Sequence, residues 1–427
     1  MYRRMLCGWL LVLFFSFAIM GQGLFPDPFQ FPDQSAVGGG IGVTWIDNQP
    51  YTTLTISPDI AIGKFGLGIY LQLLFDNQNN LKLREDEYKG GAGILRAIRY
   101  VRYGQKYEPV YFRVGMLDRA TLGNGFLVWN YHNGTNYDKR KVGLVADVDM
   151  GKFGVETLWS SVGTSRLHGG SVYVRPFRLG NTSVPILKRF RIHATYVRDK
   201  DVPAGPVLDS TATLSAFGVG ADLRWLDLPV IKSAIYADYA KFTDYGSGKV
   251  VGVNLILPEF IGLFGLAARY EKRFNGEQFI PSLFGPLYEL QRELGIFNQL
   301  QAAEKSEGYF GELSGHVIHK ILLRGNYQRL NGVQSSGILH LEASAPDLIP
   351  QIELLAYYDK VGIETFEDVR TLDNRSVLTA EASYQINRFL LLTMVYRWYW
   401  REIPEGSGIF KPVERIEPRI SFRYNFQ

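Results

Sequence analysis

The last fifteen residues of this 427-residue chain alternate between apolar and polar side chains with a period of two. One side carries Ile416, Ile420, Phe422, Tyr424 and Phe426, and the other carries Arg415, Glu417, Arg419, Arg423 and Asn425. Successive side chains of a β-strand point to opposite faces, so the stretch has one apolar and one charged face as a strand. A helix does not fit, because a turn of about 100° per residue separates the phenylalanines from the isoleucines, and Pro418 would interrupt it.

The same alternation recurs along most of the chain. It predicts about 20 strands, although the uncertain N-terminal region leaves 18 open. Their ranges are 38–47, 51–62, 66–76, 91–103, 109–118, 140–150, 154–161, 169–178, 188–198, 213–226, 231–242, 248–257, 262–273, 307–317, 320–329, 336–344, 351–359, 375–385, 389–400 and 414–426.

The connections between these strands fall into two classes. Long connections (77–90, 119–139, 199–212, 274–306, 360–374 and 401–413) all lie at one end of the strands, and the clear tight turns lie at the other. This requires an even number of strands with both termini on the tight side. Counting the strand-like segment 125–131 as one more strand would make the number odd, so we assign it to an outer loop or a bent excursion.

This pattern resembles the bacterial outer-membrane β-barrels, whose last strand alternates in this way and ends on an aromatic residue. Here Phe426 is penultimate and Gln427 follows. The resemblance covers nearly the whole mature chain and implies an all-β fold. That fold is a transmembrane antiparallel up-and-down β-barrel of about 18–20 strands with long outer loops and short periplasmic turns. Apolar side chains would face lipid and charged ones a wet lumen. The resemblance identifies no substrate.

The N-terminus indicates export. Residues 1–21 read as a secretory signal peptide, with Arg3 and Arg4 before an apolar stretch shorter than the ~20 residues of a membrane span. Residues 22–37 form a proline-rich periplasmic leader, and 38–427 form the barrel. Cys7, the single cysteine, leaves with the signal peptide, which excludes disulfides and thiol sites. The net charge falls from +4 to +2 without Arg3 and Arg4, which gives no reason to expect a nucleic-acid partner. The expected location is the cell outer membrane of a Gram-negative-type bacterium.

The connection 274–306 differs from the other loops. Leu287, Leu290, Leu294, Phe297 and Leu300 recur at spacings of three and four, which predicts an amphipathic helix over 286–300. Its apolar stripe needs a surface to cover. The two candidates are the barrel lumen, slightly favoured, and the outer rim.

The charged face of the strands supplies the candidate site. The residues predicted to line the lumen are Arg113, Arg191, Asp222, Arg224, Arg269, Glu271, Arg273, Arg324, Glu342, Glu353, Glu381, Arg397, Arg415, Glu417, Arg419 and Arg423. In a water-filled pore such groups set ion preference. They equally well pair across strands and stabilise a wet interior, and the two roles are compatible.

The sequence offers little for catalysis or metal binding. His316 and His319 are expected on opposite strand faces, which argues against a shared metal, and His340 with Glu342 is interpreted as a lumen pair. The serine-hydrolase motif Gly-x-Ser-x-Gly does not occur. We therefore predict no enzymatic activity, no cofactor and no metal.

The function that these observations favour is a porin-like channel for passive diffusion of small hydrophilic solutes or ions, with a mild preference for anions. The alternatives are a non-conducting scaffold, adhesion or secretion-associated barrel, or a transporter of hydrophobic substrates. Expected partners are outer-membrane lipids, the barrel-assembly machinery and the solutes. Whether protomers form a homo-oligomer is left open.

Overall fold

The computed structural model describes most of the chain. The described residues are 36–46, 49–75, 81–82, 97–106, 108–117, 119–134, 141–163, 166–180, 182–204, 211–260, 262–293, 295–373, 375–387, 389–402 and 410–425. The predicted signal peptide, nearly all of the proline-rich leader, and Phe426 and Gln427 lie outside them.

Twenty antiparallel strands follow one another along the chain. Their bounds are β1 Ala36–Ile46, β2 Gln49–Ile62, β3 Phe65–Ile69 with Leu71–Phe75, β4 Leu81–Lys82 with Ile98–Tyr103, β5 Val110–Gly115, β6 Gly143–Asp149, β7 Phe153–Trp159, β8 Leu167–Val174, β9 Phe190–Pro203, β10 Thr211–Asp227, β11 Lys232–Phe242, β12 Ser247–Phe260, β13 Phe264–Asn275, β14 Ser306–Val317, β15 Ile321–Leu330, β16 Gly337–Ile349, β17 Ile352–Ile363, β18 Ser376–Gln385, β19 Leu390–Glu402 and β20 Phe410–Asn425. Each of the 20 predicted ranges overlaps one of these strands, although residues 91–96 of the range 91–103 lie outside the described residues.

The sheet closes on itself. Each strand pairs with the next, and β20 pairs with β1, with Gly40 opposite Ser421 and Gly42 opposite Arg419. The predicted pairing of the last strand with the first is therefore confirmed. Closure leaves the described strands without an unpaired sheet edge, which is what a β-structure needs in lipid.

The barrel wall has an apolar outside and a polar inside. On β19, Leu392 and Met394 are about half exposed, whereas Thr393 and Val395 between them are buried. On β10, Phe217 and Val219 face out, and Asp222 faces in with 2% of its surface exposed. An apolar belt around a polar interior is the arrangement of a transmembrane barrel. Among the described residues, no helix has the length and apolar character needed to cross a membrane.

The two ends of the barrel differ. The end that carries both termini, called the turn end here, has short connections such as 63–64, 150–152 and 318–320. The opposite, loop end carries the long segments 116–142, 276–305 and 364–375. The expectation that long connections occupy only one end is wrong at one place. The segment 175–189 at the turn end contains two 3-10 helices, Pro176–Arg178 and Leu187–Arg189.

In the described part of the chain, three short helices lie at the loop end: α1 Tyr288–Glu293, α2 Ile296–Ala302 and α3 Phe366–Arg370. The single helix predicted over 286–300 is in fact α1 and α2. Gly295 separates them with φ of 96°, a left-handed conformation that no continuous helix contains. The spacing of the apolar residues predicted the helical structure. The same spacing continues across the glycine, so it does not reveal that the helix is interrupted there.

Candidate functional site

Two segments of the described chain fold from the loop end into the lumen. The first inward loop comprises the described residues between 116 and 142, and the second inward loop those between 276 and 305. Their apolar side chains form one buried cluster that includes Phe126, Val128, Phe279, Phe284 and Leu300. The cluster also contains inward-facing wall residues such as Phe242 and Val250, so the loops pack directly against β11 and β12. The segment 125–131, predicted to be a loop excursion rather than a strand, belongs to this cluster.

The two inward loops hold each other through backbone hydrogen bonds. Ser282 N–H donates to the Phe126 carbonyl over 2.8 Å, Phe284 N–H to Leu127 over 3.2 Å, and Trp129 N–H to Phe284 over 3.2 Å. The Tyr131 hydroxyl also donates to the Glu289 carboxylate of α1. These bonds satisfy backbone groups that would otherwise be buried without partners, so the loops form one body.

Asn124, at the tip of the first inward loop, forms hydrogen bonds with three strands of the wall. Its side-chain amide donates to Asp238 of β11 over 3.0 Å, and its side-chain oxygen accepts from Arg191 of β9 over 2.9 Å. Its main-chain carbonyl accepts from Arg269 of β13. Gly123 and Gly125 flank it with φ of 58° and 90°, which glycine adopts without strain. The Gly-Asn-Gly sequence at 123–125 thus forms a turn inside the lumen.

The first inward loop spans the depth of the barrel. Lys106, in the turn between β4 and β5 at the turn end, donates to the Thr121 carbonyl over 3.2 Å and to Asp147 over 2.7 Å. Gly123 N–H donates to Glu156 of β7 over 2.7 Å. A segment that leaves the strands at the loop end therefore contacts the opposite end, and it narrows the lumen along its length.

Strand register explains how Asp238 is placed. His193 on β9 and Asp238 on β11 both lie opposite Gly220 of the intervening strand β10. The two side chains meet over that glycine, with His193 Nε2 2.9 Å from Asp238 Oδ1. A Cβ at Gly220 would lie 1.6 Å from the Asp238 carboxylate, so only glycine fits there.

A buried charge cluster on β13 supports the other side of Asn124. Glu271 lies between Arg269 and Arg273 on the inward face, and it accepts hydrogen bonds from both guanidinium groups and from the Tyr236 hydroxyl. The Arg269 guanidinium also covers the Trp129 ring at 4.1 Å. This cation–π contact attaches the first inward loop to the wall a second time.

Asp199 of β9 anchors the second inward loop. It accepts from the Tyr288 hydroxyl over 2.6 Å and from Arg292 Nε over 2.9 Å, both on α1. Burial, with the nearby Asp199 charge, raises the pKa of Tyr288 well above its ordinary value, so its proton stays available to this bond. Both helices of the segment pack in the lumen rather than on the rim.

The remaining wall, formed by β15–β20 and β1–β4 and called the wet wall here, has a different character. Some of its charged side chains, among them Arg324, Arg415 and Glu417, are buried, but others keep contact with water. Glu342 is 16% exposed, and Glu381 and Arg419 are 23% and 22% exposed. They lie near the middle of their strands. Arg119 of the first inward loop reaches across the lumen to Glu342, which Arg324 also contacts over 2.9 Å. Near the turn end, Asp59 accepts from Arg99 and Tyr100.

The predicted lumen residues therefore separate into two groups. Buried against the inward loops or in wall pairs are Arg113, Arg191, Asp222, Arg224, Arg269, Glu271 and Arg273. On the wet wall are Arg324, Glu342, Glu353, Glu381, Arg397, Arg415, Glu417 and Arg419. The side chain of Arg423 lies outside the described part of the structure.

Ion pairs join most members of both groups. Arg191 Nε lies 2.6 Å from Asp222, and Arg397 Nη1 lies 2.7 Å from Glu417, which Arg415 also contacts. Arg397 is also 4.0 Å from Glu381 of the neighbouring strand. The cross-strand pairing role thus holds for these residues, and a role in ion preference stays a prediction.

Sequence reasoning did not identify several residues that hold the inward loops. These are Asn124, Asp147, Glu156, Asp199 and Asp238. The four acids stand at inward-facing positions of the alternating pattern, so the period of two could have identified them as lumen-facing residues. Nothing local in the sequence distinguishes Asn124 from other loop asparagines.

Two predictions about histidines need correction. His316 and His319 do not face opposite ways, because a tight turn with positive φ at Ile318 and His319 brings their rings into a stack with centroids 3.9 Å apart. His340 pairs with Asp359 of β17, Nδ1 to Oδ1 at 2.8 Å, rather than with Glu342 alone.

Comparison with known proteins gives only distant likenesses. No protein-family model matches the chain, and no curated protein sequence matches it. Among solved structures, OccK10 (OpdN) of Pseudomonas aeruginosa is 12% identical, covering 92% of this chain and 99% of its own, with a TM-score of 0.35. OccK2 (OpdF) of the same organism, in complex with glucuronate, is 9% identical over 92% and 96%, with a TM-score of 0.37. CdiB of Acinetobacter baumannii is 8% identical over 92% and 61%, with a TM-score of 0.29. Likenesses this distant carry no argument about substrate or mechanism.

Proposed function

We propose that this protein is a channel of the cell outer membrane for passive diffusion of small hydrophilic solutes or ions, narrowed by two inward loops. One observation carries the proposal. Glu342, Glu381 and Arg419 on the wet wall retain contact with water, at 16%, 23% and 22% exposed. Charged groups beneath the inward loops are nearly fully buried, as Glu271 and Arg191 are at 0% and 1%. Barrels of 16–18 strands already leave an aqueous channel, so 20 strands enclose more space than side chains alone fill.

The proposed path runs between the first inward loop and the central residues of the wet wall. Arg119 of the loop contacts Glu342 there, and Glu381 lies near Arg397 and Arg419 on the neighbouring strands. Fixed charges of both signs on a wet path produce a transverse field that orders water and favours small polar solutes over apolar ones. Because ten arginines and six acids are among the residues predicted to line the lumen, the proposed preference is weakly toward anions.

The setting follows from the same reasoning. The turn end would face the periplasm and the loop end the outside, as in outer-membrane barrels generally. We also propose that the chain is exported through a signal peptide and inserted by the barrel-assembly machinery, and that it has no enzymatic activity.

Conductance of the purified, refolded protein in a planar lipid bilayer tests it. We expect discrete, ohmic channel openings whose reversal potential in a salt gradient shows weak anion preference. A closed trace at all voltages would instead favour the non-conducting scaffold or secretion-associated barrel, in which the inward loops complete a plug. Clear cation selectivity would overturn the anion preference alone. An unheated sample that migrates differently from a boiled one in a detergent gel confirms that the tested material is a folded barrel.

A further inference from the structure

A cluster of three metal-ligand side chains lies at the turn end, away from the inward loops. His316 is the penultimate residue of β14, and His319 lies in the turn that leads to β15. Positive φ values of 47° at Ile318 and 55° at His319 reverse the chain tightly enough to stack the two imidazole rings, with 20° between their planes. Two histidines at this spacing in a continuous strand would diverge.

Glu259 near the end of β12 completes the cluster. Its Oε2 atom lies 3.3 Å from His316 Nε2 and 3.5 Å from His319 Nε2. Gly265 of the intervening strand β13 lies opposite His316, so the carboxylate reaches the imidazoles across a residue without a side chain. All three ligand atoms lie within 4.8 Å of one another.

We propose that Glu259, His316 and His319 bind a divalent transition-metal ion. Zinc binds imidazole nitrogen and carboxylate oxygen at about 2.0–2.2 Å, and tetrahedral geometry then places the ligand atoms roughly 3.3–3.5 Å apart. The two measured separations, 3.3 Å and 3.5 Å, are those of two edges of such a tetrahedron. Two imidazoles with one carboxylate suit zinc, nickel, cobalt or copper, whereas magnesium and calcium prefer oxygen ligands alone.

The surroundings give a metal ion access. His316 is buried, but Glu259 and His319 are 42% and 66% exposed, so an ion enters from the turn end without unfolding the barrel. Three protein ligands leave a fourth position for water or for a ligand group in the periplasm-facing solution.

Binding has a definable consequence for the hydrogen bonds. His319 N–H donates to His316 Nδ1 over 3.3 Å, which places the ring proton of neutral His316 on Nε2, toward Glu259. A metal at Nε2 moves that proton to Nδ1 and breaks the turn's hydrogen bond, which is already long. The coordinate bonds would then join β12 to the β14–β15 turn and stiffen this end of the wall.

Isothermal titration of ZnCl₂ into the EDTA-treated full-length barrel in detergent tests the site. We expect one zinc ion per chain, with affinity reduced at least tenfold in His319→Ala and in Glu259→Gln. Both side chains are exposed at a turn and a strand end, and heat-dependent gel mobility verifies that the variants fold. His168→Ala, at the loop end, should bind as the wild type does.

A second measurement separates coordination from loose adsorption. Co²⁺ bound in place of zinc should give the intense visible absorption of a four-coordinate site, and this should disappear in the Glu259→Gln His319→Ala double variant. Equal zinc binding by the wild type and the double variant, or a cobalt spectrum that the substitutions leave unchanged, overturns the proposal.

Discussion

The side-chain amide of Asn124 donates to Asp238 over 3.0 Å, although the two residues are 114 positions apart in the chain. The bond joins the tip of the first inward loop to the wall, and Arg191 holds the other end of the same amide. In Asn124→Ala, both buried partners lose a hydrogen bond, which costs about 1–3 kcal/mol for each unsatisfied group. We expect the loop tip to loosen and single-channel conductance to increase roughly twofold, with more frequent current fluctuations.

A surface asparagine provides the comparison. Asn331 is exposed at the loop end beyond β15, and Asn331→Ala should leave conductance and noise unchanged. If Asn124→Ala also conducts like the wild type, the tip does not limit the path. Single-channel recordings of the three proteins under the same salt decide between these outcomes.

The charge cluster of β13 leads to a prediction about stability. Glu271 is fully buried between Arg269 and Arg273, so Glu271→Gln leaves two guanidinium groups in the wall without their carboxylate. Loss of one member of a buried ion pair typically costs about 3–5 kcal/mol. We expect the free energy of unfolding in urea, followed by gel mobility of unboiled samples, to fall by about that amount.

Glu307→Gln is the matched control for Glu271→Gln. Glu307 pairs with Lys272 over 2.8 Å on the outward face of the same strands, but its side chain is 57% exposed. An exposed pair contributes at most about 1 kcal/mol, so this variant should unfold nearly as the wild type does. If Glu271→Gln and Glu307→Gln lowered the free energy of unfolding equally, burial would not explain the contribution of the Glu271 ion pairs to stability.

The barrel could be predicted from sequence because its signals are local. Alternation assigns Leu392 and Thr393 to opposite faces without reference to any other strand, and short turns such as Gly63-Lys64 fix the order of neighbours. Closure between Gly40 and Ser421 then follows from strand parity. The signal for helices in the second inward loop, the spacing of its apolar residues, was also local.

The contacts of the inward loops could not be predicted in the same way. Asn124 contacts residues of β9, β11 and β13, and these contacts depend on how a long loop folds in three dimensions. The pairing of His193 with Asp238 over Gly220 needs the register of three strands at once. The stacking of His316 and His319 escaped prediction because positive φ at two non-glycine residues is rare and has no clear sequence signal.

Charge selectivity should respond to the wet wall. Arg419 lies 3.1 Å from Glu381, and both side chains contact water in the lumen. Arg419→Gln removes the nearer of the two arginines beside Glu381, so less of the carboxylate's charge is compensated beside the proposed path, and a fixed negative charge attracts cations. We expect the reversal potential in a KCl gradient to shift toward cations, with the permeability ratio of K⁺ to Cl⁻ increasing roughly twofold.

Lys272→Gln removes the same charge from the outward face, where Lys272 covers the Tyr309 ring at 4.4 Å. It should leave the reversal potential of the wild type unchanged. A similar shift in both variants would mean that general surface charge, and not the lumen, sets the selectivity.

The loop-end segment 364–375 leads to a prediction about pH. Asp373 accepts from Lys360 Nζ and Arg375 Nη2, at 2.8 Å and 2.9 Å, and its carbonyl accepts from Trp398 over 3.0 Å. Burial alone would raise the pKa of Asp373, but the bonds to Lys360 and Arg375 outweigh it and lower the pKa to about 2 from 3.8. The ionised carboxylate therefore stabilises the segment fully at pH values above the pKa that Asp373 has in the unfolded chain. This stabilisation is lost as the pH falls through the lower pKa of the folded segment.

Pepsin is active at both pH 4 and pH 2 and can attack near the exposed Phe366 of α3. We therefore expect the wild-type segment to resist pepsin at pH 4 and to become susceptible near pH 2. Asp373→Asn cannot carry the charge, and it leaves the buried Lys360 ammonium without an acid partner, so cleavage should be rapid at both pH values. Glu367→Gln, on the exposed side of α3, should behave as the wild type does. Resistance of Asp373→Asn at pH 4 would show that the remaining bonds from Lys360 to Thr371 and Ser376 hold the segment without the carboxylate.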